Sequence, residues 1–128
     1  MRTRILIVDD EKALVYYLRQ TLQLDLPGSD IDTAYSGEEA LSLLASTSYD
    51  LILADVRMPG FDGLALIRGV RYVDPHVPII LMTGFGNPAL QLEARQLGVD
   101  HYVDKPFDVA ELMVAVHNLL AQRQASGD

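Results

Sequence analysis

Five short aliphatic runs recur along the chain, each followed by a stretch with helical spacing. That alternation limits the fold more than any other feature. The runs are Arg4–Val8, Ile31–Ala34, Leu51–Ala54, Ile79–Met82 and Tyr102–Val103. The first, third and fourth are near-continuous and aliphatic, as strands buried on both faces must be. The second, "IDTAY", alternates and reads as an edge strand. Between the runs lie five helical patterns. Leu14, Leu18 and Leu22 share one face of a first helix. Ser36 followed by Glu39 forms a capping box ahead of Ala40, Leu43 and Leu44. Asp62 is placed to cap a third helix carrying Leu64, Ile67 and Val70. A fourth runs from about Pro88 to Leu97, with Gly98 as its stop. Asp108, with Glu111 after it, caps a fifth carrying Leu112, Val116, Leu119 and Leu120. Strands that alternate with helical crossovers form a parallel sheet covered by helices on both faces, so the expected class is α/β, doubly wound.

The 128 residues show no internal boundary. Residues 1–122 are expected to form one domain, and the polar residues 123–128 a tail or the start of a linker. The absence of cysteine excludes a disulfide framework or a thiolate metal site. The net charge of −8 opposes binding to nucleic-acid phosphates, so no direct nucleic-acid partner is expected. Ile5–Val8 is too short for a signal peptide or a membrane span, and the domain is expected to be soluble and cytoplasmic.

The polar residues concentrate where the strands end. Strand one runs into Asp9 and Asp10, strand three into Asp55, strand four into Thr83 and Gly84, and strand five into Lys105 and Pro106. In a parallel sheet these ends lie on one edge, where open α/β sheets bind ligands. Each residue has a plain alternative role. Asp9 or Asp10 can cap a helix, Asp55 can be a loop acid, Thr83 has high strand propensity, and a lone lysine is commonly a surface charge. Four strand ends carrying complementary groups by coincidence is a much weaker explanation.

Clustered carboxylates repel one another unless a cation joins them. Oxygen ligands suit Mg²⁺, which shares its shell with phosphate oxygens. A metal and an ammonium around one carboxylate fit phosphoryl transfer, with the carboxylate as nucleophile and the cations offsetting charge on the phosphoryl group.

The segments "ILIVDDE", "DLILADVRMPGFDG", "PIILMTGFG" and "YVDKPF", in this order and spacing, resemble the receiver domain of response regulators in two-component signalling. The resemblance covers Arg4 to about Gln122. It implies a flavodoxin-like five-stranded sheet in the order 2-1-3-4-5. It makes Asp55 the phosphoacceptor. Asp10, Asp55 and the backbone carbonyl of Arg57 become direct Mg²⁺ ligands, with Asp9 acting indirectly and Mn²⁺ as an alternative ion. Thr83, Gly84 and Lys105 then surround the phosphoryl group, Thr83 and Tyr102 form the switch, and the Lys105–Pro106 bond is cis. The implied partner is a histidine kinase or histidine phosphotransfer domain, for which exposed Tyr16 on the first helix offers a docking point. The effector stays open, although "MTGFG" resembles receivers joined to sigma-54-type activators or hybrid kinases. The fourth helix, fifth strand and fifth helix form the changing surface and a candidate homodimer interface. The apolar girth of the fifth helix favours such a contact, but its lack of basic residues argues against the salt-bridged dimer mode of winged-helix regulators. Bulky Arg57 and Phe85, two residues beyond Asp55 and Thr83, are expected to slow loss of the phosphoryl group.

Three other readings fit less well. An aspartyl phosphatase would carry a second Asp two residues after its nucleophile, where this chain has Arg57. A flavin-binding protein would need a phosphate-binding loop after strand one, where this chain has "DDEKA". A purely structural module would have no need of Asp10, Asp55 and Lys105 together.

Overall fold

In the computed structural model, the described residues are 2–55, 57–58, 61–83 and 88–126, without the side chains of 57, 58, 61–63 and 124–126. Five strands alternate with five helices. They are β1 (Arg4–Val8), α1 (Lys12–Asp25), β2 (Asp30–Ala34), α2 (Gly37–Leu44), β3 (Leu51–Asp55), α3 (Gly63–Val73), β4 (Ile79–Thr83), α4 (Pro88–Gln96), β5 (His101–Asp104) and α5 (Val109–Ser126). A two-residue pairing, Arg57–Met58 with Phe61–Asp62, lies between β3 and α3. The main sheet has the order β2-β1-β3-β4-β5, and every pairing in it is parallel. β2 is an edge strand, as its alternation requires.

Strand alternation sorts the core into two layers. Ile5, Ile7, Leu51, Leu53, Ile80 and Met82 face Val15, Leu18 and Leu22 of α1 and Leu112, Met113 and Val116 of α5. Leu6, Val8, Ile52, Ala54, Ile79 and Leu81 face Ala40 and Leu44 of α2, Leu66, Ile67 and Val70 of α3, and Ala94 of α4. Burying each such Leu or Ile contributes about 1.5–3 kcal/mol, so the two layers are the main stabilising term. In α1, Val15 completes the buried stripe with Leu18 and Leu22, while Leu14 is only half-buried at its margin.

The helix ends follow the local chemistry with two adjustments. Ser36 Oγ accepts from Glu39 N, but Glu39 Oε1 accepts from Tyr35 N, one residue earlier than a standard capping box. Asp108 Oδ1 accepts from Ala110 N at the start of α5. The expected cap from Asp62 falls on a side chain outside the described residues. Gly98 adopts φ +79°, and its N–H and that of Val99 donate to Arg95 O and Ala94 O, closing α4.

α5 runs on to Ser126, and Arg123, which the sequence placed in the tail, is held by Asp74 at 3.1 Å and by the Tyr49 carbonyl at 3.3 Å. At the same edge, opposite the strand ends that carry the polar groups, Arg71 of α3 donates to the carbonyls of Leu97, Gly98, Asp74 and Val77. Burial lowers the Arg71 pKa, against the attraction of Asp100 and Asp74. These two arginines tie the C-terminal ends of α3, α4 and α5 together. The apolar girth of α5 is mostly consumed by the core: Leu112, Met113, Ala115, Val116 and Leu120 are buried, and Val114 is left exposed. Among the described residues, no helix is long and apolar enough to cross a membrane.

Candidate functional site

Asp9 extends β1 by one more bond, its N–H donating to Ala34 O, and so keeps the alternation that puts Ile5 and Ile7 on the α1/α5 face. Asp55 is the last residue of β3 and shares the face of Leu51 and Leu53. Lys105 follows β5 in register with Val103, which packs on the same layer. Three strands therefore deliver three charged side chains to one corner.

There, Lys105 Nζ lies 2.7 Å from Asp9 Oδ2, 2.9 Å from Glu11 Oε1 and 3.0 Å from Asp55 Oδ2. Asp9 and Asp55 are buried, as is Thr83; Glu11 is exposed. Burial raises the Asp9 pKa, the hydrogen bonds from Lys105 and the Glu11 N–H work against that, and the nearby Asp55 adds to it. Burial also works against the Lys105 charge, but the three carboxylates outweigh it and the pKa rises. One carboxylate oxygen from each of Asp9, Glu11 and Asp55 fall within 4.8 Å of one another. Three carboxylates against one ammonium leave an excess of negative charge on hard oxygen donors, the chemistry of a Mg²⁺ site.

Asp10 was expected as a direct metal ligand. It is exposed, and the three grouped carboxylates are those of Asp9, Glu11 and Asp55. Glu11 was missed. Its signal lay in the two-residue step from Asp9, which it enters through an Asx turn: Asp9 Oδ1 accepts from Glu11 N at 2.9 Å.

Thr83 ends β4, one residue beyond Met82, the register partner of Asp55. It follows the parity of Ile79 and Leu81, so its side chain belongs to the α3/α4 face. Tyr102 pairs with Leu81 and packs on that layer too, making it a diagonal neighbour of Thr83. Thr83 Oγ1 and Tyr102 Oη are both buried without a hydrogen-bond partner among the described residues. A cleft of about 400 Å³ runs beside Tyr102 between α4 and β5, lined also by Gln91, Ala94, Arg95 and His101. The Lys105–Pro106 bond is cis. Gly84, Phe85 and the Arg57 side chain lie outside the described residues. Tyr16 is exposed on α1, as its helical position requires.

A family model described as the response regulator receiver domain matches residues 5–117. The response regulator MprA of Mycobacterium ulcerans is 34% identical over 128 residues, which are 100% of this chain and 54% of that protein. The response regulator protein FleR of Pseudomonas aeruginosa is 38% identical over 93% of this chain and 25% of its own length. The chain thus spans between a quarter and about half of these relatives. Among solved structures, a CheY-like receiver domain protein from Methanospirillum hungatei superposes with a TM-score of 0.92 at 25% identity, covering 98% of this chain and 99% of the other. TrrA from Thermotoga maritima, solved in complex with Mg²⁺ and BeF, has a TM-score of 0.80 at 38% identity over 91% of this chain and 98% of its own. This chain belongs to the response regulator receiver domain family.

Proposed function

We propose that residues 1–122 form a receiver that takes a phosphoryl group on Asp55 from a histidine kinase or histidine phosphotransfer domain, in the presence of Mg²⁺. The carrying observation is the contact of Lys105 with Asp55 in a corner where carboxylates outnumber the ammonium. An Asp55 oxygen attacks phosphorus, the bond to the donor nitrogen breaks, and the imidazole leaves with the electron pair. Lys105 holds the attacking carboxylate and stays beside the charge that arrives. Buried Asp9 fixes Lys105 in place.

Asp10 and Asp55, with the Arg57 carbonyl and Asp9 behind them, would hold Mg²⁺, and the ion, when bound, supplies charge neutralisation at the phosphoryl oxygens. The oxygen-only donor set fits it, and the TrrA structure was obtained with that ion. Mn²⁺ suits the same ligands.

The phosphoryl oxygens would give the Thr83 hydroxyl, unpartnered among the described residues, an acceptor, with Gly84 leaving room beside it. Movement of Thr83 would free space for its diagonal neighbour Tyr102, whose hydroxyl also lacks a partner among the described residues. The modification would thereby bias a two-state equilibrium of the α4-β5-α5 surface. That surface would serve an effector or a second copy, and a cytoplasmic setting follows from the kinase. Bulk at Arg57 and Phe85 would slow the domain's own hydrolysis of the acyl phosphate.

Intact mass after incubation with acetyl phosphate and Mg²⁺ tests the reading. One phosphoryl group is expected on the native chain and none on Asp55→Asn or without Mg²⁺. A folded native chain that gains nothing under conditions that trap acyl phosphates overturns it.

A further inference from the structure

An ammonium carries three donors, and in this structure all three of Lys105's are taken, by Asp9, Glu11 and Asp55 at 2.7, 2.9 and 3.0 Å. A phosphoryl oxygen arriving at Asp55 therefore finds no free donor on Lys105. One of the existing contacts has to open, and the three are not equivalent. The Asp9 side chain is 0% exposed, so releasing it would strand a buried carboxylate without its cation. Asp55 is the group that carries the incoming phosphate. The Glu11 side chain is 61% exposed and can exchange Lys105 for water at little cost.

We propose that Glu11 is a positioning residue that occupies the third donor of Lys105 before phosphorylation and yields it to a phosphoryl oxygen. Its carboxylate stands in for that oxygen as an internal competitor, like in charge and in acceptor chemistry. Glu11 sets how strongly a phosphoryl group must bind before Lys105 is delivered to it. Its grouping with Asp9 and Asp55 also allows a second role, direct coordination of the metal. The two roles have opposite signs: removing a competitor tightens phosphoryl binding, and removing a ligand weakens metal binding. The inference rests on the phosphoacceptor reading above.

The test compares the native chain, Glu11→Ala and Glu11→Gln, with Glu38→Ala as a control. Glu38 is an exposed acid on α2, outside the cluster, and its removal changes net charge equally. Calorimetric titration measures beryllofluoride affinity in saturating Mg²⁺, and Mg²⁺ affinity alone. Thermal unfolding confirms that each variant folds. Glu11→Ala is expected to bind beryllofluoride about two- to fivefold more tightly, the range an exposed ion pair spans. Glu11→Gln, which keeps an acceptor but no charge, should fall between it and the native chain. Mg²⁺ affinity should stay within about twofold on the same scale. With acetyl phosphate, the half-saturating donor concentration should fall by the same factor at an unchanged limiting rate. Equal tightening in Glu38→Ala reduces the effect to net charge and overturns the proposal. So does an unchanged affinity in both Glu11 variants, and so does weakened Mg²⁺ binding, which would make Glu11 a metal ligand. A native chain that binds no beryllofluoride brings down the phosphoacceptor reading itself, a result distinct from any of these.

Discussion

Lys105 Nζ sits 3.0 Å from Asp55 Oδ2 across 50 positions of sequence, and the same ammonium is the cation of the fully buried Asp9. One lysine thus has a structural debt and a chemical task at once. Lys105→Met should destabilise the domain by about 3 kcal/mol at neutral pH, because it leaves Asp9 buried and uncompensated. The loss should shrink on acidification, since Asp9 can then take a proton. Urea denaturation of both proteins across pH measures it.

The pH dependence of metal stabilisation has a definite sign. Burial raises the folded pKa of Asp9, so between the ordinary Asp value and that raised value the folded state binds more protons than the unfolded one. This term alone makes stability fall as pH rises through that window. A cation at the cluster offsets the cost and competes with the proton. Saturation with Mg²⁺ at about a hundred times its dissociation constant should add about 2.7 kcal/mol above the window. The gain should fade as pH drops through it, and should be smaller in Asp55→Asn. Thermal unfolding with and without Mg²⁺ over a pH series reads both effects.

Thr83→Val should raise stability. Among the described residues the native hydroxyl is buried with no partner, a condition that costs about 1–3 kcal/mol, and valine keeps the shape without the polar atom. A gain of about 1 kcal/mol in denaturant unfolding is expected. The same variant should lose the response of Tyr102 to beryllofluoride, followed by the ring signals of Tyr102 in NMR. A destabilised variant would mean that the hydroxyl has a partner in solution.

Arg71→Met should loosen the far end of α4. Arg71 holds the carbonyls of Leu97 and Gly98 at 2.8 Å each, and Val77 at 2.7 Å. Loss of about 2 kcal/mol is expected from this charged donor. Hydrogen exchange should accelerate most at the amides of Gly98 and Val99, which close the helix onto Arg95 and Ala94.

Much of this site could be read before any coordinates, because parallel strands that end together need only be located for their terminal residues to converge. Asp9, Asp55, Thr83 and Lys105 each follow from the end of an apolar run. What the sequence hid was side-chain reach. Glu11 stands in the segment "ILIVDDE" with no role assigned to it, and its Asx turn with Asp9 accompanies its contact with Lys105. Arg71 reads as one residue of a helix and Arg123 as part of a polar tail, yet their guanidinium groups span to carbonyls and acids of other elements. The apolar excess of α5 pointed to a partner, but the sheet and α1 cover most of it and leave Val114. Periodicity counts apolar residues; it does not tell how wide a face the neighbouring layer can cover.

The parity of the strands gives the sheet a further meaning. Asp9, Asp55 and Lys105 belong to one side of it, and Thr83 with Tyr102 to the other. The sheet is a partition between two rooms: the buried charges stand in one with α1 and α5, and the hydroxyls of Thr83 and Tyr102 stand in the other with α3 and α4. Because neighbouring residues of a strand point to opposite faces, a change in one room reaches the other through the strands they share.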